Sequence, residues 1–134
     1  HLPDPSAEFA ELARVLADDG ILILEMANYA HGRNRIKHAL KFKKMPVEPV
    51  DIRSEANKRE EEVSFVNHNP KTVVKQLAHA GLKVDKVLSV SNLRSPTIKK
   101  VVPESIMLSL ETFLQSALAR TYFGPSVFFL VKKA

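Results

Sequence analysis

The fold of this chain is indicated most strongly by residues 11–28, which read ELARVLADDGILILEMAN. Asp4 can cap, and Pro5 can open, a helix that runs into this stretch. The apolar residues of that helix recur at helical spacing: Phe9, Leu12, Ala13 and Leu16. Residues 18–20 (Asp-Asp-Gly) predict a turn, and Ile21–Leu24 is apolar without alternation. Such a run is typical of a strand buried on both faces, as in a sheet with helices on each side.

A second helix and strand follow between residues 69 and 90. Asn69 can cap a helix opened by Pro70 and ended by Gly81. In the next segment, Leu82–Val90, apolar and polar residues largely alternate, which predicts a half-covered strand.

A third helix and strand complete the pattern. Pro103 and Glu104 open the helix, and Ser126–Val131 predicts a final strand. The helix has a broad apolar face, which we expect to cover another element: Ile106, Leu110, Phe113, Leu114 and Ala117. The order helix, strand, helix, strand, helix, strand predicts an α/β fold.

Two segments interrupt this order within what we interpret as a single domain, residues 1–134. Residues 29–62 form a basic and mixed-charge insertion, and residues 92–123 a helical one. The basic part has no acidic residue between positions 29 and 45 but six cations: Arg33, Arg35, Lys37, Lys41, Lys43 and Lys44. Its helical spacing is weak, and the mixed-charge part receives no firm assignment.

Composition narrows the class of protein. The chain has 134 residues, of which 45% are apolar and 26% charged, as expected for one folded domain. No apolar run approaches the roughly 18 residues that a membrane span requires. There is no cysteine, which excludes thiolate chemistry and cysteine-ligated metals and fits a cytoplasmic location. The net charge of +5 favours an anionic partner without defining one.

Several of these motifs occur together in one family. Leu2-Pro3-Asp4-Pro5 followed by residues 11–28 resembles the second half of class I S-adenosylmethionine-dependent methyltransferases. The helix and strand from Asn69 to Val84, and the closing strand Val127–Lys133, are similar to later elements of that family. The resemblance covers almost the whole chain in the same order.

The resemblance implies the C-terminal half of a Rossmann-like methyltransferase sheet. Three strands would be present, the last one inserted antiparallel beside the first, with flanking helices and inserted segments. The family's glycine-rich turn, the acidic residue after its second strand and its fourth strand have no counterpart in residues 1–134. We therefore expect a fragment of an enzyme that transfers a methyl group from S-adenosylmethionine to an unknown acceptor. The fragment alone would be inactive, and only His1 and Leu2 would lie at the margin of the cofactor site.

The same resemblance implies a partner. A strand apolar on both faces requires neighbours on both edges, and the first strand lacks the one that the family's fourth strand supplies. We expect that edge to be covered by the missing N-terminal half, by a swapped element or by a second copy of the chain.

Candidate substrate contacts follow from the position of the first strand. In open α/β sheets ligands bind beyond the carboxyl ends of the strands, which here points to Asn28, Tyr29, His31 and Arg33. His31 is the best placed candidate for a catalytic base. No histidine pair has metal-ligand spacing, so no metal site is expected.

The basic segment supports an alternative function, a standalone α/β binding module that docks an anionic partner. Residues 33–44 can neutralise phosphates of RNA, of a nucleotide-linked substrate or of a lipid surface. Only Phe42 among them is aromatic, which weakens the case for nucleic acid. Leu40 and Phe42 can also contribute to a lid over the substrate, together with the helix that Pro103 opens.

Overall fold

The computed structural model describes residues 2–60, 64–92 and 103–134. Within these ranges the helices are α1 (Ser6–Val15), α2 (Gly32–Leu40), α3 (Glu55–Glu60), α4 (Pro70–His79) and α5 (Glu104–Ala117), with a 3₁₀ turn at Ala119–Thr121. The strands in the same ranges are β1 (Leu22–Ala27), β2 (Val50–Asp51), β3 (Val66–Asn67), β4 (Leu82–Val90) and β5 (Ser126–Lys133). No described helix is both long enough and apolar enough to cross a bilayer.

The main sheet has the order β1-β5-β4, and β5 is antiparallel to both of its neighbours. Leu22 lies opposite Val131 and Ala27 lies opposite Ser126. Because β1 and β4 both run against β5, they run parallel to each other. The predictions of a mixed α/β fold and of a last strand antiparallel to the first are confirmed.

The hydrophobic core lies on one face of this sheet, where α1 and α4 cover it. The buried residues of the core come from both helices and all three strands: Phe9, Met26, Val73, Leu77, Leu82, Val127, Phe129 and Val131. On β5 the buried residues alternate with half-exposed ones, as expected for a pleated strand.

Local signals placed two helices well. Asn69 accepts a hydrogen bond from the backbone N–H of Lys71 at 3.1 Å, and α4 begins at Pro70 as predicted. Gly81 follows that helix with a φ of 78°, a left-handed conformation that favours glycine. Helix α1 begins at Ser6, one residue later than predicted. The backbone N–H of Ser6 donates to Oδ1 of Asp4 at 3.0 Å.

The prediction that the first strand is buried on both faces is wrong for this structure. Leu22, Leu24 and Met26 point into the core, but the alternate residues of β1 are exposed. Ile23 of this strand is 69% exposed, and Ile21, which directly precedes the strand, is 56% exposed. Helix α5 packs near β4 and leaves the second face of β1 uncovered by the described residues.

The apolar face of α5 also differs from the expectation. The helix forms over Glu104–Ala117 as predicted, yet none of its residues is buried. Ile106, Leu110 and Phe113 are 52%, 45% and 68% exposed, so this face covers little. The sequence pattern predicted an apolar stripe correctly but not what lies against it.

The inserted segments contain short regular elements. Residues 29–62 include α2, β2 and α3, and β2 pairs antiparallel with β3 in a separate two-stranded sheet. Residues 92–123 include α5 and the 3₁₀ turn, and residues 93–102 of this segment lie outside the described part of the chain, as do 61–63.

Candidate functional site

A cavity of about 450 Å³ lies at the end of the sheet where β1 and β4 finish and β5 begins. Its lining comes from the segment after β1, the segment after β4 and the loop before β5: His31, Arg33, Ile36, Ser91, Asn92, Phe123 and Pro125. Two of the four predicted substrate contacts, His31 and Arg33, therefore face one cavity.

Asn28 does not line the cavity but holds one of its walls. Its side chain is fully buried, and Nδ2 donates at 2.7 Å to the carbonyl oxygens of both Tyr122 and Gly124. The backbone N–H of Asn28 donates to the carbonyl of Pro125 at 2.8 Å. These bonds fix the loop before β5 against the end of β1, which is a structural role.

Tyr29 is directed away from the cavity, towards the end of α2. Its hydroxyl lies 3.4 Å from Nε2 of His38, and the two rings meet edge to face with centroids 5.9 Å apart. Nδ1 of His38 lies 3.1 Å from the carbonyl oxygen of Lys44. Because a carbonyl oxygen can only accept, Nδ1 is the donor in that contact.

His31 and Arg33 stand at the start of α2, beside the loop before β5. The backbone N–H of Gly32 donates to the carbonyl of Phe123 at 2.8 Å and ties the helix start to that loop. Burial, and then the charges of Arg33 and Arg35, lower the pKa of His31 below its usual value of 6.5. This shift favours the neutral form of the imidazole.

The opposite wall depends on a polar network that sequence analysis missed. Ser89 is fully buried, donates from Oγ to Asn92 at 2.7 Å and accepts the N–H of Gly124 at 2.7 Å. Glu111 of α5 accepts hydrogen bonds from the backbone N–H and the side chain of Asn92, both at 3.0 Å. This network connects β4, α5 and the loop before β5.

Ser91 and Asn92 could have been found from the sequence. They follow the end of a predicted strand, the same criterion that selected Asn28. Phe123 carried no such signal, because its place beside the cavity depends on contacts between distant parts of the chain.

A second cavity, of about 430 Å³, runs along the free edge of β1. We call it the edge groove; its described lining is Leu2, Pro5, Glu8, Phe9, Leu12, Leu24, Glu25, Met26, Ala27, Phe65, Val66, Asn67, His68 and Val73. Leu2, one of the two predicted cofactor contacts, lines it, while His1 lies outside the described residues. The carbonyl oxygen of Leu2 is 3.0 Å from Nε2 of His68. Burial lowers the pKa of His68, a stronger influence than this hydrogen bond, which raises it.

Comparison with known proteins adds no assignment, since no family model and no curated protein matches this chain. Among the described residues, no three histidine or carboxylate side chains come close enough together to hold a metal ion.

Proposed function

We propose that this chain is the C-terminal half of a class I, Rossmann-like S-adenosylmethionine-dependent methyltransferase domain, and that it forms the acceptor side of the enzyme. The order β1-β5-β4 carries the proposal, because it sets an antiparallel last strand between two mutually parallel strands. The sequence resemblance implies this insertion of the last strand beside the first. The proposal rests on that agreement between motif order and topology.

The free edge of β1 supports a partner that adds strands. Alternate residues of β1 direct their main-chain groups towards β5, as the hydrogen bond from Asn28 to Pro125 indicates. The main-chain groups of Ile23 and Glu25 therefore point to the other edge, where no described residue pairs with them. At the carboxyl end of this edge His68 forms a parallel bridge with Asn28.

The edge groove supports the same partner. It lies beside the unpaired part of β1, and most of its lining is apolar. A neighbouring strand would lie about 4.8 Å from β1 and would bury this apolar surface. The family's fourth strand is the element that the resemblance implies at this place, so we propose the N-terminal half as the occupant.

Two observations on the described residues support a cofactor site that requires a partner. Leu2 is 48% exposed, and its carbonyl is already bonded to His68. The glycines stand singly along the sequence and form no glycine-rich turn: Gly20, Gly32, Gly81 and Gly124. We therefore propose that the chain alone does not bind S-adenosylmethionine.

The acceptor side of the reaction is assigned to the cavity at the end of the sheet. The imidazole of His31 forms no hydrogen bond with the described residues. It is therefore available to take a proton from a methyl acceptor that is bound in the cavity. Arg33 supplies a positive charge at the same cavity, which favours an acceptor that carries or develops negative charge. Methyl transfer depends largely on alignment, and the loop fixed by Asn28 provides a rigid wall.

Titration calorimetry of the chain with S-adenosylmethionine tests the cofactor part of the proposal. We expect no binding at concentrations of S-adenosylmethionine up to about 1 mM. A dissociation constant above this value corresponds to a binding free energy weaker than about −4 kcal/mol. A dissociation constant in the micromolar range would refute the proposal that the chain alone does not bind S-adenosylmethionine.

A fusion tests the partner part. We expect that the first four strands of a class I methyltransferase, joined ahead of Leu2, restore binding of S-adenosylmethionine. Glu25→Pro in the fusion removes an N–H that points to the free edge and should abolish this gain, while Glu25→Ala keeps the N–H and should preserve it. Circular dichroism and thermal unfolding of both variants check that the fusion remains folded. A folded Glu25→Pro fusion that binds as well as Glu25→Ala would contradict strand addition at this edge.

A further inference from the structure

Helix α2 is attached to the domain through its polar side. Nδ2 of Asn34 donates to the carbonyl of Tyr29 at 2.8 Å, and Nε of Arg35 donates to the carbonyl of Ala30. His38, on the same side, contacts the hydroxyl of Tyr29. A surface helix normally buries its apolar residues, so this helix is oriented in the reverse sense.

The outer side of α2 consequently carries its apolar residues in water. Ile36 and Leu40 are one turn apart and are 61% and 77% exposed. Phe42 follows the helix in a left-handed turn, with a φ of 51°, and is 99% exposed. An aromatic side chain held in this way contacts almost nothing in the domain, so the expected lid over a substrate is not formed in this structure.

Exposed cations surround these apolar side chains. At about 100° per residue, Arg33 and Lys37 fall within about 60° of Leu40 on the helix surface. Lys41 is the residue directly after the helix and precedes Phe42. Lys43 and Lys44 lie beside Phe42, and all five cations are exposed. None of the five forms an ion pair with another described residue. The sequence contains no acidic residue from position 26 to position 47.

We infer that this outer side of α2, with the turn at Phe42, is a docking surface for an anionic lipid bilayer. The helix lies along the membrane surface, Leu40 and Phe42 enter the boundary between headgroups and acyl chains, and Lys37, Lys41, Lys43 and Lys44 meet the lipid phosphates. Ile36 and Arg33 lie between this surface and the cavity that they line. A basic amphipathic helix that combines both signals binds such surfaces, and a nine-residue helix needs both because it is short. The inference does not depend on the proposed methyltransferase function.

The exposed apolar side chains favour lipid over RNA. RNA recognition by a basic surface uses aromatic platforms on which bases stack, and Phe42 is the one aromatic residue between positions 30 and 47. Leu40 offers aliphatic surface, which gains free energy from burial in acyl chains and has no stacking role.

Vesicle co-sedimentation tests the inference. The chain should sediment with vesicles of phosphatidylcholine and phosphatidylserine, and it should remain in solution with phosphatidylcholine alone. Each cation near the membrane surface raises the partition coefficient about fivefold. Lys37→Glu/Lys41→Glu removes two such cations and should therefore lower the partition coefficient at least about 25-fold. The control Lys71→Glu/Lys75→Glu makes the same change in net charge on exposed positions of α4. It should change the partition coefficient by less than about threefold, because screening confines attraction to nearby charges.

The apolar part is tested separately. Leu40→Ser/Phe42→Ser changes only exposed side chains and should leave the fold intact, yet it should lower the partition coefficient about tenfold or more. Equal sedimentation with and without phosphatidylserine would overturn the inference. So would wild-type partitioning of Leu40→Ser/Phe42→Ser, which would indicate a purely electrostatic polyanion site. Binding of a labelled RNA oligonucleotide that outcompetes the vesicles would also overturn it and would assign the surface to nucleic acid.

Discussion

Replacing Asn28 should destabilise the domain because its side-chain amide joins two distant parts of the chain. Asn28→Ala removes the two hydrogen bonds to the carbonyl oxygens of Tyr122 and Gly124. The bond to Gly124 is buried, and its loss costs about 1–3 kcal/mol, while the partly buried bond to Tyr122 contributes about 1 kcal/mol. Oδ1 of Asn28 is buried without a described partner, so its removal returns about 1 kcal/mol. We expect a net loss of about 2 kcal/mol in the free energy of unfolding.

Asn28→Asp separates hydrogen bonding from packing. The two side chains have nearly the same shape, but the carboxylate replaces the donor with an acceptor that faces two carbonyl oxygens and adds a buried charge. We expect Asn28→Asp to be the more damaging variant. Asn34→Ala is the matched control, because it removes one partly buried amide bond to Tyr29 and should cost about 1 kcal/mol or less.

Urea unfolding followed by circular dichroism measures all three variants. With a slope of about 2 kcal/mol per molar, Asn28→Ala should lower the midpoint by about 1 M. A midpoint for Asn28→Ala within error of the wild type would refute the structural role. Asn28→Asp as stable as Asn28→Ala would refute the donor geometry.

Two further predictions concern a close approach and an ion pair. Gly124→Ala would place a Cβ against the carbonyl oxygen of Val90 and should lower the free energy of unfolding by about 1–3 kcal/mol. Gly81→Ala brings its Cβ near no other atom and only strains the backbone, so it should cost less. Thermal unfolding that reverses this order would contradict the packing at the loop. The Arg53 guanidinium lowers the pKa of Asp51 to about 2, so the ion pair favours the folded state above about pH 4, and this contribution is lost as the pH falls towards 2. Melting temperatures measured over this range should fall more steeply for the wild type than for Asp51→Asn, and parallel curves would refute the assignment.

The elements predicted well are those whose signals are local. Helix α4 has its cap, its first proline and its terminal glycine within the sequence that it occupies, and its apolar residues face the core. Helix α2 lacks this agreement, because Ile36 and Leu40 face solvent while Asn34 and His38 hold the helix in place. A pattern method assumes that apolar residues point inward, and the assumption fails where a surface is reversed.

The site was predicted only in part for a related reason. Position after a strand identified His31 and Arg33, and both line the cavity. The role of Asn28 depends on a loop more than ninety positions further along the chain, as the separations of 94 and 96 residues show. Sequence spacing carries no information about such a contact, so a buried structural amide and a substrate contact look alike before the fold is known.

The exposed apolar surfaces of β1 favour one partner over another. On one side of the strand Ile21 and Ile23 are exposed, and along its edge the groove is open. A second copy pairing β1 with β1 about a two-fold axis would be antiparallel and restricted to residues 22–26, since His68 occupies the carboxyl end of that edge. Such a dimer would pair the free main-chain groups of β1 but would bring no helix to cover Ile21 and Ile23. A parallel strand with its crossover helix supplies both a strand for the edge and a helix for the exposed face, because such units place helices on the faces of the sheet that they extend.

Light scattering of the chain at rising concentration tests this preference. We expect weak, open-ended association through these exposed surfaces. A discrete, stable dimer would argue for a self-complementary edge and against completion by an N-terminal half.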